Sequence, residues 1–504
     1  MNYLIAIDVG TQSTRVALIG EDGEIVRIVQ SPHDVDTPHP SWAQQSPDLW
    51  WSEVCKNSQE LWASVEVRQK SILPSQVAAI CCCGQMHGMV GVDPAGQVTT
   101  PMVQLWCDKR CHVQCSDFKN RYDELELAQT TANPVVPSWT ALKVRWFAEN
   151  TSEAYQSARW FLVPKDFVNY RLTGVAATDP SEASGSYIWD WKKDDYSLEI
   201  AKLVGVDPGK FAPSCKASAV IGSVTAEAAR ETGFQAGTPV VAGGGDFPVS
   251  MLGFGIVGEG IANDTTGTST CFAVHSPKPL IHPLVFNLRH VTDGWIPFKL
   301  TDSGGIAGAW LRQFLATACG LDENDKAAFG YERMIALAEQ APAGSDGLIF
   351  YPYLLGERRL ENTAARGAFL GVTLNHKAPH FARAALEGVA LSMASDFRLF
   401  SQLGVNMKRL LSVGGGTRNR LWNQMKADMT GLPVELAAEP EAGLKGCALL
   451  ASAGVGLIDD LNAEARKRCV VEKKVAPNPE NRAVYDQALE QFQKIYDRLL
   501  GFWN

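Results

Sequence analysis

The start of the chain alternates between short apolar runs and polar turns. Apolar residues dominate positions 3–8, 15–19 and 25–29, while Gly-Thr-Gln-Ser at 10–13 and Glu-Asp-Gly-Glu at 21–24 interrupt them. Short apolar runs separated by tight, glycine-containing turns are typical of strands joined by hairpins. The pattern therefore predicts a three-stranded β-meander.

The apolar spacing then changes to that of a helix. Between residue 47 and about residue 67, the side chains of Trp50, Trp51 and Leu61 recur at intervals that place them on one helical face. An uninterrupted apolar run at 77–83 follows and indicates a buried strand. Strands and amphipathic helices mixed in this way predict an α+β or α/β layered domain.

The second half of the chain repeats the opening theme. Residues 260–264 lead into Thr-Thr-Gly-Thr-Ser at 265–269 and then into an apolar run at 270–274, so that Asp264 precedes a polar turn as Asp8 does. Self-similarity between two distant segments indicates duplicated domains, each presenting one glycine hairpin.

The duplication predicts two domains, residues 1–248 and 249–504. A chain of 504 residues exceeds what one hydrophobic core usually organises. The glycine-rich passage at 243–258 suits a hinge between the domains, because glycine absorbs large changes in φ and ψ.

Composition and charge exclude several classes of protein. The formal net charge is −9 and the Lys and Arg residues are spread evenly, which argues against a nucleic-acid partner. No stretch approaches the run of about 20 apolar residues that spans a membrane. The consecutive Cys81, Cys82 and Cys83 lie in an apolar run and are interpreted as core residues, which fits a reducing cytoplasm.

The two polar turns are candidate phosphate loops. Asp8 ends a strand before the turn at 10–13, whose small residues let backbone N–H groups approach phosphate oxygens, while Asp8 could act through Mg²⁺. The alternative is a simple Asx-turn. The second turn, at 267–269, could grip the same triphosphate from the other side.

Asp246 is the candidate catalytic base. It follows a short predicted strand at 239–241 and the glycines at 243–245. Because these glycines have no side chains, they leave space around the carboxylate at the end of the strand. Phosphoryl transfer needs one carboxylate to accept the proton of the acceptor hydroxyl. An exposed Asp has a pKa near 4, so we expect Asp246 to be ionised at pH 7. The alternative is that Asp246 only caps the next helix.

Three further motifs combine polar groups with apolar or flexible surroundings. Gln-Met-His-Gly at 85–88 and Leu-Trp-Cys-Asp-Lys-Arg at 105–110 have the composition of sugar sites, although a lone His is often structural. The glycines at 414–416 follow a strand and precede a predicted helix at 421–430, so adenine and ribose could lie on their backbone. This motif lacks the Gly-Lys-Ser/Thr ending of a P-loop.

Taken together, these motifs resemble the FGGY carbohydrate kinase family and, within it, most closely the xylulokinases, which are pentulose kinases. The resemblance covers nearly the whole chain. It is carried, in the family's order, by residues 7–11, 85–88, 105–110, 164–166, 243–246, 267–269, 351–354, 356–358, 365–367 and 414–416.

The resemblance implies an α/β fold of two actin-like, ribonuclease H-like ATPase domains flanking a central cleft. The sugar and part of the phosphate site would belong to the N-terminal domain, and the nucleotide site to the C-terminal domain. The implied activity is ATP- and Mg²⁺-dependent phosphorylation of D-xylulose to D-xylulose 5-phosphate by a cytoplasmic enzyme, with a homodimer as the family's usual habit.

The resemblance also implies a role for each matched residue. Asp246 is the base, and Asp8 is a second catalytic residue and the Mg²⁺ ligand, acting through water. Met86 and His87 match the family's sugar-contacting pair, and the other predicted sugar contacts are Gln85, Trp106, Asp108 and Phe247. The family's positions around the phosphates and adenosine are matched by Thr266, Gly267, Thr268, Gly305, Gly415 and Asn419, and Arg15 lies where related kinases place a residue near the transferred phosphate. The other predicted ATP contacts are Gly10, Thr11, Gln12, Ser13 and Gly416.

The chain departs from the xylulokinase pattern at three places. Phe247 stands where xylulokinases have a sugar-contacting Asn, Cys107 and Lys109 replace the Asn and Gly of a Trp-Asn-Asp-Gly-Arg motif, and Arg359 and Leu360 replace a Thr-Pro pair. A lost amide at a hydroxyl contact changes selectivity strongly. Another pentulose, a polyol or a sugar acid is therefore an alternative acceptor, and an actin-like ATP switch or a non-catalytic sugar sensor is an alternative of another class.

Overall fold

The computed structural model describes residues 2–321, 329–357, 364–437 and 441–503. Three motif residues, Arg358, Arg359 and Leu360, lie outside the described residues. The chain divides into two compact units, and each is built from three segments. Unit 1 comprises Met1–Val257, Pro277–Ile296 and Glu441–Cys469; unit 2 comprises Gly258–Ser276, Pro297–Pro440 and Val470–Asn504.

Runs of strands and runs of helices follow one another along the chain. The strands are β1 Tyr3–Val9, β2 Ser13–Gly20, β3 Ile25–Pro32, β4 Gln44–Gln45, β5 Val77–Gly84, β6 Val90–Val92, β7 Val103–Gln104, β8 Trp160–Leu162, β9 Trp189–Asp190, β10 Asp195–Tyr196, β11 Val220–Ser223, β12 Pro239–Gly245, β13 Ile261–Thr266, β14 Thr270–Val274, β15 Phe286–Arg289, β16 Trp295–Thr301, β17 Ile349–Tyr351, β18 Ala368–Leu370, β19 Arg409–Val413, β20 Val434–Ala437 and β21 Val471–Val475.

The α-helices are α1 Pro47–Ala63, α2 Val65–Gln69, α3 His112–Arg121, α4 Glu124–Thr131, α5 Thr140–Asn150, α6 Ser152–Ser157, α7 Pro164–Thr173, α8 Pro180–Ser184, α9 Leu198–Val204, α10 Ala226–Thr232, α11 Asp246–Gly253, α12 Gly305–Ala318, α13 Tyr331–Ala338, α14 Ala378–Gln402, α15 Arg420–Thr430, α16 Ala442–Gly454, α17 Leu461–Arg468 and α18 Arg482–Trp503.

Unit 1 is organised around a six-stranded sheet with the order β11-β12-β5-β1-β2-β3. The first three strands form the predicted antiparallel meander. β5 pairs parallel to β1, β12 pairs parallel to β5, and β11 closes the edge in antiparallel orientation. The carboxyl ends of β1, β5 and β12 therefore lie along one edge of the sheet.

Unit 2 repeats this arrangement. β13 pairs antiparallel with β14, β14 pairs antiparallel with β16, and β19 and β20 continue the sheet in parallel from β13. The order β16-β14-β13-β19-β20 thus corresponds strand for strand to β3-β2-β1-β5-β12 of unit 1. The duplication that the two polar turns indicated is present in the sheets.

The central strands of unit 1 are covered on both faces by apolar helical surfaces. Trp50 and Leu61 of α1 belong to the same buried cluster as Cys82. Cys81 and Cys83 point to the opposite face and pack in the cluster formed with α16. The three cysteines are completely buried, as predicted, because a strand sends successive side chains to opposite faces.

The predicted helix from residue 47 to about 67 is two helices. α1 ends at Ala63 because Ser64 adopts an extended conformation, with φ −65° and ψ 151°, before α2 begins. Among the helices in the described part of the chain, none is long and apolar enough to cross a membrane.

Candidate active site

Asp246 lies where β12 ends and α11 begins, so it is the first residue of that helix. Its carboxylate accepts a hydrogen bond of 2.7 Å from the N–H of Phe247. The N-cap of α11 is Gly245 and no side chain caps the helix there, so the bond to the neighbouring N–H is not the cap that the structural alternative proposed. This bond occupies only one oxygen of the Asp246 carboxylate. The other remains available for chemistry.

The environment of Asp246 corrects the expectation that it is exposed and ionised. The pKa of Asp246 is raised to about 7, first by burial and then by the nearby charge of Asp8, while the N–H of Phe247 and the charge of Arg15 act in the opposite direction. The expectation of a pKa near 4 was wrong because the glycine strand carries the carboxylate into a desolvated position. A carboxylate with a pKa near 7 is better matched to general base catalysis at neutral pH.

Glycine is required in β12 because other backbone and side-chain atoms approach it closely. Gly243 has φ +71°, and a Cβ atom there would lie 1.8 Å from the carbonyl oxygen of Cys82. A Cβ atom on Gly245 would lie 2.6 Å from Sδ of Met86. The strand end that carries Asp246 therefore fits directly against β5 and against the predicted sugar-contacting Met86.

Asp8 and Arg15 are cross-strand neighbours in β1 and β2. The Arg15 guanidinium forms an ion pair with the Asp8 carboxylate and a second one, at 2.6 Å, with Glu441. Arg15 is thus held between two carboxylates at the edge of the sheet that also carries Asp246. The sequence did not single out Glu441, since it stands more than 400 positions from Arg15 and belongs to no recognisable motif.

Asp8 has features that fit a role near a cation. Its Oδ1 atom is buried and has no hydrogen-bond partner within the described part of the chain. No cluster of three or more His, Cys, Asp or Glu side chains suited to a metal occurs among the described residues. Mg²⁺ in nucleotide sites is commonly held by only one or two carboxylates together with phosphates and water, so a single orphaned carboxylate oxygen fits this ion.

The first polar turn is connected to the predicted sugar residues by hydrogen bonds. The indole N–H of Trp106 donates to Oγ1 of Thr11 at 3.1 Å, and Thr11 donates to Oε1 of Gln85 at 3.2 Å. The side-chain amide of Gln85 donates in turn to Gln45 at 2.9 Å, and Gln45 donates to the carbonyl of Thr11 at 2.8 Å. The structure therefore joins Trp106 and Gln85 to the turn that was predicted to contact phosphate.

A buried His–Glu pair supports the same turn from below. Nδ1 of His33 lies 2.7 Å from the Glu53 carboxylate, and Nε2 lies 3.1 Å from the carbonyl oxygen of Gly10. The backbone N–H of His33 also donates to the carbonyl of Gln12 at 2.9 Å. No sequence pattern marked this support, because His33 directly follows β3, Glu53 lies in α1, and neither belongs to a motif. Ser13, the remaining residue of the turn, pairs with Pro32 of β3.

His87 and Met86 follow β5 at the sheet edge. His87 adopts a left-handed conformation with φ +67°, which is uncommon for a residue with a side chain. Its ring packs edge-on against Trp139 with the centroids 5.2 Å apart, and its Cε1 atom would lie 2.6 Å from a Cβ atom on Gly185. The ring is therefore fixed by close packing, in a conformation that is typical of functional sites.

Asp108 is placed differently from the other predicted sugar contacts. It is completely buried, and its carboxylate accepts bonds from the Arg110 side chain and, at 2.7 Å, from the N–H of Ala43. A sugar hydroxyl would have to displace one of these bonds to reach it. Phe247, by contrast, is partly exposed directly beside the base.

The predicted nucleotide residues of unit 2 also gather around one turn. The N–H of Gly305, at the start of α12, donates to the carbonyl of Gly267 at 2.8 Å. The N–H of Gly304 donates to the carbonyl of Thr268 at 3.0 Å. A Cβ atom on Gly416 would lie 2.8 Å from Cβ of Thr266. The turn, the helix N-terminus and the second glycine motif are thus adjacent.

Three residues of this group have distinct environments. The hydroxyl of Thr266 is occupied by buried Asp264 and Lys426, so only its backbone is available to a ligand. Asn419 caps α15 by accepting the N–H of Trp422 at 3.0 Å. Gly415 is exposed, with open space where a Cβ atom would stand.

Comparison with known proteins places this geometry in a family. Residues 3–253 match the N-terminal domain of the FGGY family of carbohydrate kinases, and residues 262–455 match its C-terminal domain. The chain belongs to this family. It is a sugar kinase, it uses ATP as the family does, and its two units have the actin-like ATPase fold that the sequence predicted.

Individual relatives agree with this assignment over the full length. The chain is 30% identical over 504 residues to the xylulose kinase of Lactococcus lactis subsp. lactis (strain IL1403), covering 98% of this chain and 97% of that protein. It is 26% identical over 473 residues to the gluconokinase of Bacillus subtilis (strain 168), covering 92% and 89%. The crystal structure of xylulose kinase from Rhodospirillum rubrum matches with a TM-score of 0.91 and 28% identity, covering 100% of both chains.

Proposed function

We propose that this enzyme transfers the terminal phosphoryl group of ATP to a hydroxyl of a pentulose, with D-xylulose as the acceptor and D-xylulose 5-phosphate as the product. The observation that carries the mechanism is the Asp246 carboxylate, which is held at the end of a glycine strand beside Met86 and has a pKa of about 7. The relatives named xylulose kinase supply the acceptor.

Asp246 is the proposed general base. At pH 7 a group with this pKa is about half ionised, so a substantial fraction of the enzyme can accept a proton from the attacking hydroxyl. The bond to the Phe247 N–H fixes one oxygen and leaves the other to orient the sugar. The hydroxyl oxygen gives up its proton as it bonds to phosphorus, and the Asp246 carboxylate is the group that accepts this proton.

Met86, His87, Trp106 and Gln85 are the proposed sugar contacts, with Phe247 beside the base. The apolar side chains would face the C–H surfaces of the sugar, and the polar groups would bind its hydroxyls. We assign Asp108 a supporting role, because its ion pair with Arg110 holds the loop that carries Trp106.

ATP is proposed to contact two sets of residues. The first set belongs to the turn at 10–13 with Arg15, and the second comprises Thr266, Gly267, Thr268, Gly305, Gly415, Gly416 and Asn419. Asp8 would hold Mg²⁺, which supplies charge neutralisation to the phosphates when it is bound. Arg15, held by Asp8 and Glu441, supplies a fixed positive charge of the protein itself.

We further propose that residues 1–248 carry the sugar and part of the phosphate site and that residues 249–504 carry the nucleotide site. The enzyme would act in the cytoplasm as a homodimer.

A different acceptor is the second candidate, and Phe247 favours it. Xylulokinases place an amide at this position, whereas Phe247 offers no hydrogen bond to a sugar hydroxyl. One relative of comparable sequence identity is named gluconokinase, and gluconate is a sugar acid. A sugar acid or polyol would change the hydroxyls that are recognised and leave the base unchanged.

The proposal is tested by a coupled ADP-release assay with Mg-ATP and a panel of pentuloses, pentitols, glycerol and sugar acids. D-Xylulose is expected to give the highest kcat/KM, and Asp246→Ala is expected to lower kcat by about a hundredfold or more with little change in the KM for ATP. Preference for another acceptor would retain the mechanism and replace the substrate. Near-normal turnover by Asp246→Ala would remove the base assignment.

A further inference from the structure

The strand that carries Asp246 contains an irregularity just before its end. In the parallel pairing of β12 with β5, Val241 stands opposite Cys81 and Gly244 stands opposite Cys83, so that Ala242 and Gly243 together oppose one residue. Such a bulge bends a strand and changes the direction of the residues that follow it. The direction of Asp246 therefore depends on how the backbone of the bulge is held.

The glycines of the strand end have no side chains with which to fix themselves, so their main-chain groups must be held by neighbours. The carbonyl of Ala242 accepts hydrogen bonds from the Asn169 amide at 2.8 Å and from Nζ of Lys165 at 3.2 Å. The N–H of Gly245 donates to Oγ of Ser181 at 3.1 Å. Gly245 directly precedes Asp246, so this bond acts on the residue that orients the base.

Ser181 is itself rigidly placed. It is completely buried in α8, and its N–H donates at 2.8 Å to Oδ2 of Asp179, which caps that helix. The other oxygen of Asp179 lies 3.1 Å from Nζ of Lys165. One buried network thus connects Lys165, Asp179 and Ser181 to both ends of the bulge. Because a buried N–H without an acceptor is costly, loss of the Ser181 hydroxyl forces the strand end to move.

We propose that Ser181 is a positioning residue for the reaction, acting through the N–H of Gly245 to aim the carboxylate of Asp246 at the acceptor hydroxyl. This inference rests on the proposed role of Asp246. Ser181 makes no contact with substrate in this scheme, so its effect is confined to the catalytic step and leaves ATP binding unchanged.

The experiment compares Ser181→Ala with Ser184→Ala in the full-length enzyme. Ser184 is a matched control, because it is buried in the same helix and makes no bond to Gly245. Its Oγ accepts the backbone N–H of Arg289 at 2.8 Å and donates to the carbonyl of Ser181 at 3.0 Å, so its removal tests the loss of a buried hydroxyl from α8 alone. Ser181→Ala is expected to lower kcat about tenfold or more, since small displacements of a catalytic group are costly, with the KM for ATP changed less than about twofold. Ser184→Ala is expected to leave kcat within about twofold of the parent enzyme.

A double variant separates positioning from general damage. If Ser181 acts through Asp246, Ser181→Ala added to Asp246→Ala should change the residual rate by less than about twofold, because the group that it positions is already absent. Ser181→Cys keeps a hydrogen-bond acceptor of similar size at a different distance, so it should lose less kcat than Ser181→Ala does. It also replaces Ser181→Ala as the test variant if that protein does not fold.

Each outcome decides between the two assignments. Equal losses in Ser181→Ala and Ser184→Ala, or a full additional loss in the double variant, would overturn the role of Ser181 while leaving Asp246 as the base. Unimpaired turnover by the single variant Asp246→Ala would overturn the base assignment and with it the inference about Ser181.

Discussion

At the scale of single residues, the protonation of Asp246 depends on burial and on the charges of Asp8 and Arg15. The motif Gly-Gly-Gly-Asp places the residue at a strand end but does not reveal these charges. These groups converge from distant parts of the chain. The prediction of position was confirmed, and the prediction of an ordinary pKa was wrong.

A pH dependence of catalysis follows from this pKa. The ionised form of Asp246 is the base, so kcat/KM for the sugar should rise with pH and level off above an apparent pKa of about 7. One pH unit below that value only about a tenth of the carboxylate is ionised, so the rate should be about tenfold below its plateau. Initial rates between pH 5.5 and 9 check this, with coupling enzymes kept in excess at every pH.

The pH profile of Arg15→Met, compared with that of the parent enzyme, tests whether the charge of Arg15 acts on Asp246. The positive charge of Arg15 lowers the pKa of Asp246, so its removal should move the midpoint of the profile to higher pH. A profile that stays flat down to pH 5.5 in the parent enzyme would show that Asp246 is ionised throughout and that burial does not control it.

Asp264 shows that the two duplicated turns differ at the level of single residues. The sequence aligned Asp8 with Asp264 because each precedes a polar turn. In the structure Asp264 is completely buried, pairs with Lys426 and accepts the hydroxyl of Ser412 at 2.6 Å, whereas Asp8 keeps one oxygen without a partner among the described residues. A buried ion pair needs a partner from a distant helix, and no local pattern reveals it.

At the scale of elements, local patterns predicted the strands beside the glycine turns, which are a minority of the strands in the described residues. The meander, the buried strand β5, the hairpin of β13 and β14, and the sequence of strand, turn and helix from β19 to α15 all occur where apolar spacing placed them. What the patterns missed is produced by tertiary contacts. The bulge in β12 is an example, because it is defined by pairing with β5 and by bonds from α7 and α8.

The bulge makes one glycine indispensable. Gly243→Ala should abolish folding or lower the free energy of unfolding by more than about 4 kcal/mol, because the new Cβ atom would stand 1.8 Å from the carbonyl oxygen of Cys82. Thermal unfolding and the yield of folded protein measure this effect.

Gly237→Ala is the control for backbone strain alone. Gly237 also has a positive φ, of +87°, but no atom lies within 4 Å of the position that a Cβ atom would take. The substitution should cost only about 1–2 kcal/mol. Equal destabilisation by the two substitutions would mean that backbone strain, and not the contact with β5, makes Gly243 necessary.

At the scale of the whole molecule, the duplication was predictable but the path of the chain was not. The sequence suggested one cut near residue 248, giving an N-terminal and a C-terminal domain. Each compact unit consists of three separate segments of the chain, and the last segment of unit 1 is Glu441–Cys469. Sequence periodicity cannot reveal this, since the apolar residues of α16 do not specify which sheet the helix covers.

The contribution of α16 leads to a prediction about fragments. Ten of its thirteen residues are buried, and Leu444 and Ala448 pack in one cluster with Leu4, Ala6 and Cys81 of the unit 1 sheet. A fragment of residues 1–257 would expose that face of the sheet to water. We expect the fragment to lack a cooperative thermal transition and to bind a hydrophobic dye, as a loosely packed state does.

Restoring the missing segments should restore folding. A chimera that joins residues 1–257, 277–296 and 441–469 through short Gly/Ser linkers should unfold cooperatively, because the helix again covers the apolar face of the sheet. The same chimera with Leu444→Asp and Ala448→Asp has identical length and linkers but cannot bury that face, so it should resemble the fragment. If residues 1–257 alone unfold cooperatively without binding the dye, the N-terminal sheet does not need α16, and a single cut near residue 248 describes the domains better than the interwoven units.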